Sequence, residues 1–290
     1  MSTTVVGAGA VGGLIAGILH REGHDVSVFP TPETGAAIRA NGLRVSSDQF
    51  GDWVCRIDVL DRLPQKGTVL LAVKAPSMHQ VIPELVASAP ARVFALQNGL
   101  EHPDRLRQVL PHTSVIAASI FIGASRLGRH EVRHDTDFAK ILVPEASRGI
   151  PLVEALAKAG VTVETAPDEN AVLWTKFAFL APMALLTAYW GLPLGAARDR
   201  DSALTRSLAV EVSRIAESAG FAANPQRVLA SLYHMPAHMR SSLERDIRAG
   251  SPNELDAIGG ACIRLAMAAG VRVPHIEVIV HSLEQATGRP

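Results

Sequence analysis

A lysine in an apolar setting is the first candidate for chemistry in this sequence. Lys176 lies in the segment Val172–Leu180, where most other residues are aromatic or aliphatic, and only five of the 28 basic residues in the chain are lysines. Burial of an ammonium group is costly and lowers its pKa towards neutrality, where a lysine can act as a general acid. The alternative is a structural lysine whose charged head reaches solvent.

A glycine-rich loop near the N-terminus predicts a dinucleotide site. Gly7, Gly9 and Gly12 follow an apolar run and open a helical segment. In this pattern the glycines allow a tight turn, a close approach to a pyrophosphate, and close packing of helix on strand. The predicted cofactor-binding residues of the loop are Gly7, Ala8, Gly9, Ala10, Val11 and Gly12.

The choice of cofactor should be determined at the end of the second strand. NAD sites usually place an acid there, roughly 20 residues past the glycines, and NADP sites place an arginine nearby. The chain has Phe29-Pro30-Thr31-Pro32-Glu33, with no acid at the strand end and no arginine beside it. Thr31 could bond either a ribose hydroxyl or a phosphate, so NAD(H) and NADP(H) both stay open.

Two further polar residues follow apolar strands. Lys74 and Asn98 each come just after such a run, at the strand ends where α/β proteins bind ligands. A lysine at a sheet edge and an Asn-Gly turn are the alternative, structural interpretations.

The C-terminal part contains two more polar segments. Ser241 and Glu244 have capping-box spacing, which explains that serine structurally. Glu254 lies at a helix start, where a carboxylate is favoured by the helix dipole.

The predicted secondary structure that positions these residues changes type once along the chain, from mixed strands and helices to helices alone. Up to Pro167, strand-like and helical runs alternate, which is typical of a parallel α/β sheet; beyond it every periodic segment is helical. We therefore predict an α/β N-terminal Rossmann domain with a mostly parallel sheet (residues 1–166) and an all-α C-terminal substrate and catalytic domain (167–290). A cleft between them is the expected substrate site.

The predicted elements of the first domain are the strands Thr3–Val6, Asp25–Phe29, Thr68–Val73, Arg92–Leu96, Val115–Gly123, Ala139–Val143 and Val161–Thr165, and the helices Val11–Glu22, Pro32–Asn41 and Ile150–Ala159. The predicted helices of the second are Glu169–Trp190, Ser202–Ala219, Pro225–Leu232, Glu254–Ala269 and His275–Ala286.

Composition narrows the class of protein. The formal net charge is zero, which gives no indication of a nucleic-acid partner or an anionic membrane surface. Cys55 and Cys262 lie far apart and have no metal-ligand spacing, so we expect no metal and a reduced, cytoplasmic setting. No uninterrupted apolar run reaches the roughly 18–20 residues that a membrane span needs.

Taken together, these motifs resemble the ketopantoate reductase (2-dehydropantoate 2-reductase) family over the whole chain. The matching segments are the glycine loop, Val73-Lys74-Ala75, Gln97-Asn98-Gly99, Trp174–Phe177, Ser241–Gly250 and Asn253–Gly260. The resemblance implies that Lys176 is the general acid and that Glu254 holds it. It also implies that Asn98 and Ser242 contact a 2-oxo acid, and that Asn98 and Lys74 lie near the cofactor.

The chain departs from the family pattern at three substrate positions and one cofactor position. Leu180, Ala184 and Leu194 stand where relatives usually carry asparagines that bind the substrate's polar groups, which makes the predicted pocket apolar. Thr31 stands where relatives often carry an arginine for NADP.

The leading hypothesis is therefore hydride transfer to the C2 carbonyl of a 2-oxo acid, with NADP(H) as the family's usual cofactor and NAD(H) open. The alternatives are a D-2-hydroxyacid dehydrogenase for branched or aromatic 2-oxo acids, an imine reductase, and a non-catalytic dinucleotide sensor. The expected partner is a small-molecule substrate, with homodimerisation left open.

Overall fold

A six-stranded parallel sheet organises the N-terminal part of the chain. The structure is a computed structural model that describes residues 2–288. The strand order is β5-β2-β1-β6-β7-β8, which is the order 3-2-1-4-5-6 among the strands of this sheet, and every pairing in it is parallel. This is the doubly wound dinucleotide-binding topology. The strands are β1 (Thr3–Val6), β2 (Val26–Phe29), β5 (Asp58–Val59), β6 (Thr68–Leu71), β7 (Arg92–Ala95) and β8 (Ser114–Ala117).

The helices between these strands follow from local sequence signals. Helix α1 is apolar on nearly all sides and is buried over Gly12–Leu19, as expected for a helix covered on more than one face. Helix α2 begins at a proline and ends before Gly42, whose φ of +77° terminates it. The helices of this part are α1 (Ala10–Arg21), α2 (Pro32–Asn41), α3 (Met78–Ser88), α4 (His102–Val109) and α5 (Pro151–Lys158).

Two smaller sheets accompany the main one. The four-stranded sheet has the order β10-β11-β3-β4 and packs against α1. The three-stranded sheet has the order β13-β12-β9. Their strands are β3 (Leu43–Ser47), β4 (Trp53–Cys55), β9 (Ser119–Phe121), β10 (Ala124–Gly128), β11 (Glu131–His134), β12 (Lys140–Pro144) and β13 (Thr162–Ala166).

One feature of the predicted sheet was wrong. The run Val115–Gly123 was predicted as a single strand, with Ala139–Val143 and Val161–Thr165 continuing the same sheet. It divides at Ala118 into β8 of the main sheet and β9 of the three-stranded sheet, where β12 and β13 also lie. A continuous apolar run predicts burial and does not specify which sheet a strand joins.

The remaining elements are helical, as predicted. The long helix α6 spans Glu169–Trp190, and most of its apolar residues from Trp174 onward belong to a separate hydrophobic core. The other helices are α7 (Leu194–Arg200), α8 (Ser202–Ser218), α9 (Pro225–His234), α10 (Ser242–Arg248), α11 (Ala261–Ala269) and α12 (Pro274–Thr287), with a π-helical turn at Asp256–Gly260 before α11.

The described residues form two compact units. The first runs to Gln97 and resumes over His102–Val172; the second contains Asn98–Glu101 and the chain from Leu173 onward. The change of unit at Val172–Leu173 lies six residues after the predicted boundary at Ala166–Pro167. The short segment Asn98–Glu101 was not predicted to belong with the helices, and it carries one of the candidate residues.

Among the described residues, α6 alone is long and apolar enough to cross a membrane by length and composition. About three quarters of its most apolar window, 72%, is buried inside the protein. The core helix of a globular unit gives the same signal.

Candidate active site

The glycine loop has the geometry that a bound pyrophosphate requires. A Cβ added to Gly12 would lie 1.9 Å from the carbonyl oxygen of Gly7, so the loop and α1 can approach this closely only without a side chain. Gly7 has a φ of +94°, a conformation that favours glycine. A Cβ on Gly9 would meet no atom within 4 Å, so the space beside this residue is open. The loop therefore fits a dinucleotide.

The loop lies where the strand order reverses. It follows β1, which pairs with β2 on one side and β6 on the other, and such switch points are where α/β sheets bind ligands. Lys74 follows β6 and is exposed just before a single 3-10 turn, Ala75–Ser77. The structure thus places the predicted cofactor residue Lys74 at the carboxyl end of the strand beside the loop.

The side chain of an arginine that the sequence pattern does not indicate reaches the start of α2, the helix that follows β2. Thr31 precedes α2, and its Oγ1 donates to Oγ1 of Thr34 at 3.2 Å. Nη2 of Arg126 donates to the same Thr34 oxygen at 2.6 Å. Arg126 comes from β10, 92 residues further along the chain. No local sequence signal connects it with Thr31.

The predicted catalytic residues meet through one amide. In the second unit, Nζ of Lys176 donates to Oδ1 of Asn98 at 2.9 Å, and Nδ2 of Asn98 donates to Oε2 of Glu254 at 2.9 Å. The separations along the chain are 78 and 156 residues. Asn98, predicted as a substrate and cofactor contact, therefore bridges the other two residues. Because Oδ1 accepts and Nδ2 donates, only one orientation of this amide serves both neighbours.

The electrostatics of Lys176 are those of an acid usable near neutral pH. Desolvation by burial lowers the pKa of Lys176 to about 8, against the opposing effect of the Glu254 carboxylate, which raises it. The side chain is only half-buried by its overall exposure, so the desolvation acts mainly on the ammonium end. Glu254 itself is 4% exposed. A mostly protonated lysine with an accessible neutral form is what general acid catalysis needs.

A close backbone contact seats the Asn98 segment. Gly99 has a φ of +103°, and a Cβ there would lie 2.7 Å from the carbonyl oxygen of Ala257 in the π-helical turn. The turn begins two residues after Glu254, and π-turns inside helices are frequent at functional sites. Gly99 therefore lets the segment bearing Asn98 pack against the segment bearing Glu254.

Arg264 joins the segment that carries Asn98 to the segment that carries Glu254, through one carboxylate in each. It donates from Nε and Nη2 to the two carboxylate oxygens of Glu101, both at 2.8 Å, and from Nη1 to Oδ1 of Asp256 at 2.6 Å. The hydrogen bond to Glu101 is the largest influence that raises the pKa of Arg264. A bidentate pair of this kind fixes orientation as well as charge.

Loosening this clamp is predicted to impair turnover more than folding. We expect Arg264→Gln to lower kcat of the proposed reaction about 10-fold, because small displacements of catalytic groups are costly. Arg264→Lys keeps the positive charge but lacks the planar guanidinium, so its kcat should lie between those of the wild type and Arg264→Gln. Steady-state rates and thermal unfolding of both variants test this, with exposed Arg272→Gln as the control. An unchanged kcat in Arg264→Gln would show that the clamp is dispensable.

The two serines at the start of α10 differ in role. Ser241 is the N-cap, and its Oγ accepts from the backbone N–H of Glu244 at 3.0 Å, which confirms the capping interpretation. The Ser241 hydroxyl also lies 2.7 Å from Oγ1 of Thr187. Ser242 is the first helical residue and is half-buried. Its contact with a substrate stays a prediction.

The three positions that depart from the family pattern all lie in the hydrophobic core of the second unit. Leu180 is 9% exposed, Ala184 is 1% exposed and Leu194 is fully buried. Leu180 lies one helical turn after Lys176 on α6. Whether a substrate side chain contacts them stays a prediction, but their surroundings are apolar.

Comparison with known proteins identifies the family. Residues 3–148 match the family described as ketopantoate reductase PanE/ApbA, and residues 168–287 match its C-terminal counterpart. The chain belongs to the ketopantoate reductase family. The predicted family, the Rossmann-plus-helical fold class and the expectation of an oxidoreductase acting on a CH–OH group are thereby confirmed.

Individual ketopantoate reductase relatives cover nearly the full chain. The 2-dehydropantoate 2-reductase of Mycobacterium tuberculosis (strain H37Rv) is 26% identical, covering 99% of this chain and 98% of its own. The structure of a PanE/ApbA family ketopantoate reductase from Ralstonia eutropha JMP134 has a TM-score of 0.89 and 26% identity, covering 99% of both chains. D-mandelate dehydrogenase with NADH and anilino(oxo)acetate has a TM-score of 0.88 at 16% identity over 99% of both chains, which shows a shared fold.

The family and its relatives support a nicotinamide dinucleotide as cofactor without specifying which one. Among residues 2–288, no cluster of three or more His, Cys, Asp or Glu side chains could hold a metal ion. Both cysteines are buried free thiols, and burial raises the pKa of Cys55 to about 11 and that of Cys262 to about 12. Neither is therefore suited to act as a nucleophile.

Proposed function

We propose that this ketopantoate reductase family member reduces a 2-oxo acid to the 2-hydroxy acid, with Lys176 as general acid. The observation that carries the proposal is the Lys176–Asn98–Glu254 chain of hydrogen bonds, in which a lysine with a pKa of about 8 is held by an amide and a buried carboxylate. Such an ammonium group can both stabilise a developing alkoxide and protonate it.

Reduction of the carbonyl requires a hydride at C2 and a proton at the carbonyl oxygen. A nicotinamide dinucleotide, when bound, would supply the hydride that C2 of the substrate receives. The Lys176 ammonium donates one proton to the carbonyl oxygen, which becomes the new hydroxyl, and is left as a neutral amine. At pH 7 about nine-tenths of a lysine with this pKa is protonated, so the acid form predominates.

In this proposal, Asn98 orients the Lys176 ammonium group and Glu254 keeps it protonated. The Asn98 amide oxygen accepts one Nζ–H and thereby directs the remaining ones elsewhere. The Glu254 carboxylate opposes the loss of the lysine proton, since it raises the Lys176 pKa against desolvation. Without it, burial alone would favour the neutral amine, which cannot act as an acid.

The substrate and cofactor contacts of the remaining residues are part of the same proposal. Ser242, half-buried at the start of α10, would donate to the carboxylate of the 2-oxo acid together with Asn98. The glycine loop Gly7–Gly12 and Lys74 would hold the dinucleotide through backbone N–H groups and a positive charge.

A substrate with an apolar side chain is the second candidate, and the composition of α6 and of the start of α7 favours it. Leu180, Ala184 and Leu194 offer no hydrogen bond where a substrate hydroxyl would need one. A site that hydrogen-bonds a substrate hydroxyl rejects the analogue without that hydroxyl by about 10⁴-fold. An apolar site has no such preference for the hydroxylated substrate. The D-mandelate dehydrogenase fold neighbour acts, by its name, on an aromatic 2-hydroxy acid.

A substrate panel tests the proposal and separates the candidates. We expect kcat/KM for branched or aromatic 2-oxo acids to exceed that for ketopantoate by about 10-fold or more, since a buried hydroxyl without a partner is disfavoured. Rates with NADPH and NADH for ketopantoate, 4-methyl-2-oxopentanoate and phenylglyoxylate measure this. If ketopantoate is the best substrate by orders of magnitude, the apolar pocket is refuted. The proposal that the protein reduces a 2-oxo acid would still hold.

The other two hypotheses predict different outcomes of the same panel. An imine reductase would form an amine product when an amine is supplied with the oxo acid. A dinucleotide sensor would bind the cofactor and turn over none of the panel, which would contradict the proposed reaction.

A further inference from the structure

The end of β2 carries a positive charge that the sequence around Thr31 does not reveal. Arg126 lies on β10, at the edge of the four-stranded sheet. The pairing of β10 with β11 is irregular between Arg126 and Gly128, so Leu127 is the extra residue of a bulge. Bulges re-aim neighbouring side chains and are frequent beside functional sites. The guanidinium of Arg126 reaches Thr34, at the start of α2.

In the part of the chain that the structure describes, no carboxylate pairs with this guanidinium. Within residues 2–288, all hydrogen bonds of Arg126 go to neutral oxygens: Oγ1 of Thr34, the carbonyl of Gly128 and the carbonyl of Arg129. Desolvation by burial lowers the pKa of Arg126, and the nearby charge of Arg129 lowers it further. Arg126 is itself exposed, so solvent can reach it, and a cation beside another cation is an arrangement that a bound anion would relieve.

The acidic residue at the start of α2, Glu33, is influenced by the other arginine, Arg129. Glu33 is fully exposed, and its pKa is lowered by its own backbone N–H, then by the Thr31 hydroxyl, with a further contribution from the charge of Arg129. Arg126 does not contribute to that shift. The two arginines therefore differ: the charge of Arg129 acts on the Glu33 carboxylate, whereas the hydrogen bonds of Arg126 go to neutral oxygens.

We propose that Arg126, with the hydroxyls of Thr31 and Thr34, forms the subsite for the 2′-phosphate of NADP(H). The end of β2 is where dinucleotide-binding folds read the 2′ position, and a nearby arginine accommodates the phosphate. In this chain the arginine comes from the β10 bulge, and position 31 holds a hydroxyl instead. The inference rests on the proposed function, because it requires the glycine loop to hold the rest of the dinucleotide.

Equilibrium binding tests the subsite without relying on turnover. We expect the wild-type protein to bind NADPH more tightly than NADH, and Arg126→Gln to weaken NADPH about 10- to 100-fold, the range of a lost charge-assisted hydrogen bond. NADH binding should change less than about threefold. Calorimetry or nicotinamide fluorescence gives both constants, and adenosine 2′-monophosphate against its 5′ isomer probes the phosphate position alone.

Two further variants sharpen the result. Arg133→Gln removes an exposed arginine from the neighbouring strand β11, where it pairs with Asp135 at 2.8 Å, and should leave the NADPH to NADH ratio unchanged. Glu33→Gln removes a carboxylate that would repel the phosphate and should preserve or improve NADPH binding. If Glu33 instead bound the ribose hydroxyls, this variant would weaken NADH, and the subsite proposal would be wrong.

The failure of the subsite can be distinguished from failure of the reaction. Equal affinity for the two dinucleotides in the wild type, or an unchanged ratio in Arg126→Gln, would overturn the subsite while leaving the reductase intact. Binding of neither dinucleotide would overturn both. Thermal unfolding of each variant confirms that a lost affinity is not a lost fold.

Discussion

Replacement of Lys176 by methionine should lower kcat for 2-oxo acid reduction by about 10²- to 10⁴-fold, the range that a positioned general acid supplies. Methionine matches the apolar surroundings of Lys176 and introduces no charge, so the helix should keep its packing. Single-turnover and steady-state rates measure the loss. Dinucleotide affinity should change little, because the proposed contacts with the dinucleotide are made by the glycine loop Gly7–Gly12 and Lys74.

The matched control for Lys176 is another lysine of the same chain. Lys158 is exposed on α5, and Lys158→Met should turn over at the wild-type rate. The Lys176 variant also removes the donor to Oδ1 of Asn98, so its thermal unfolding must be compared with wild type. A folded Lys176→Met protein that retains more than a tenth of the wild-type kcat would exclude a general-acid role.

Removal of the Glu254 charge should shift the pH dependence of the reaction. In the wild type the rate should be level below a pH of about 8 and fall tenfold per unit above it, as Lys176 loses its proton. The carboxylate raises the Lys176 pKa. Glu254→Gln should therefore move the descending limb to lower pH, by about one unit for the loss of an adjacent opposite charge.

The measurement is a full profile of kcat and kcat/KM against pH for wild type, Glu254→Gln and a control. Glu217 is exposed on α8, and Glu217→Gln should leave the limb in place. A limb that stays near 8 in Glu254→Gln, or moves upward, would contradict the electrostatic role of Glu254. A merely structural role would lower the rate without moving the limb.

The same pKa has a consequence for stability. The folded pKa of Lys176 lies below its ordinary value of 10.5, so between a pH of about 8 and 10.5 the unfolded chain binds more protons. The contribution of this group to the free energy of unfolding therefore rises with pH across that window and is least favourable below it. The Lys176→Met protein should lack this contribution.

The sequence predicts those parts of the fold that depend on local signals. Helix α6 spans Glu169–Trp190 and α2 spans Pro32–Asn41, as predicted, because both carry apolar or capping patterns that are complete within the segment. The hairpin β10–β11 was not predicted, since its strands are short and partly exposed. Without that hairpin, the position of Arg126 beside Thr34 has no local signature.

In the candidate site, too, the sequence predicts the local features and not the tertiary contacts. Lys176, Asn98 and Glu254 were each identified from residue type and from the family resemblance, but the amide bridge between them joins segments up to 156 residues apart. The contact of Gly99 with Ala257 and the clamp of Arg264 on Glu101 depend on backbone approach and on a π-turn, which residue patterns do not encode. Side-chain chemistry was readable from the sequence; the tertiary contacts that orient it were not.

The most direct test of Lys176 as the proton donor is its own titration. The chain has only five lysines, so ¹³C-lysine labelling should give five resolvable side-chain NMR signals, and Lys176→Met assigns one of them by its absence. We expect that signal to titrate near a pH of about 8 and to move lower in Glu254→Gln. If all five signals titrate near the ordinary lysine pKa of 10.5, Lys176 is not tuned as an acid, and the proposed chemistry is wrong.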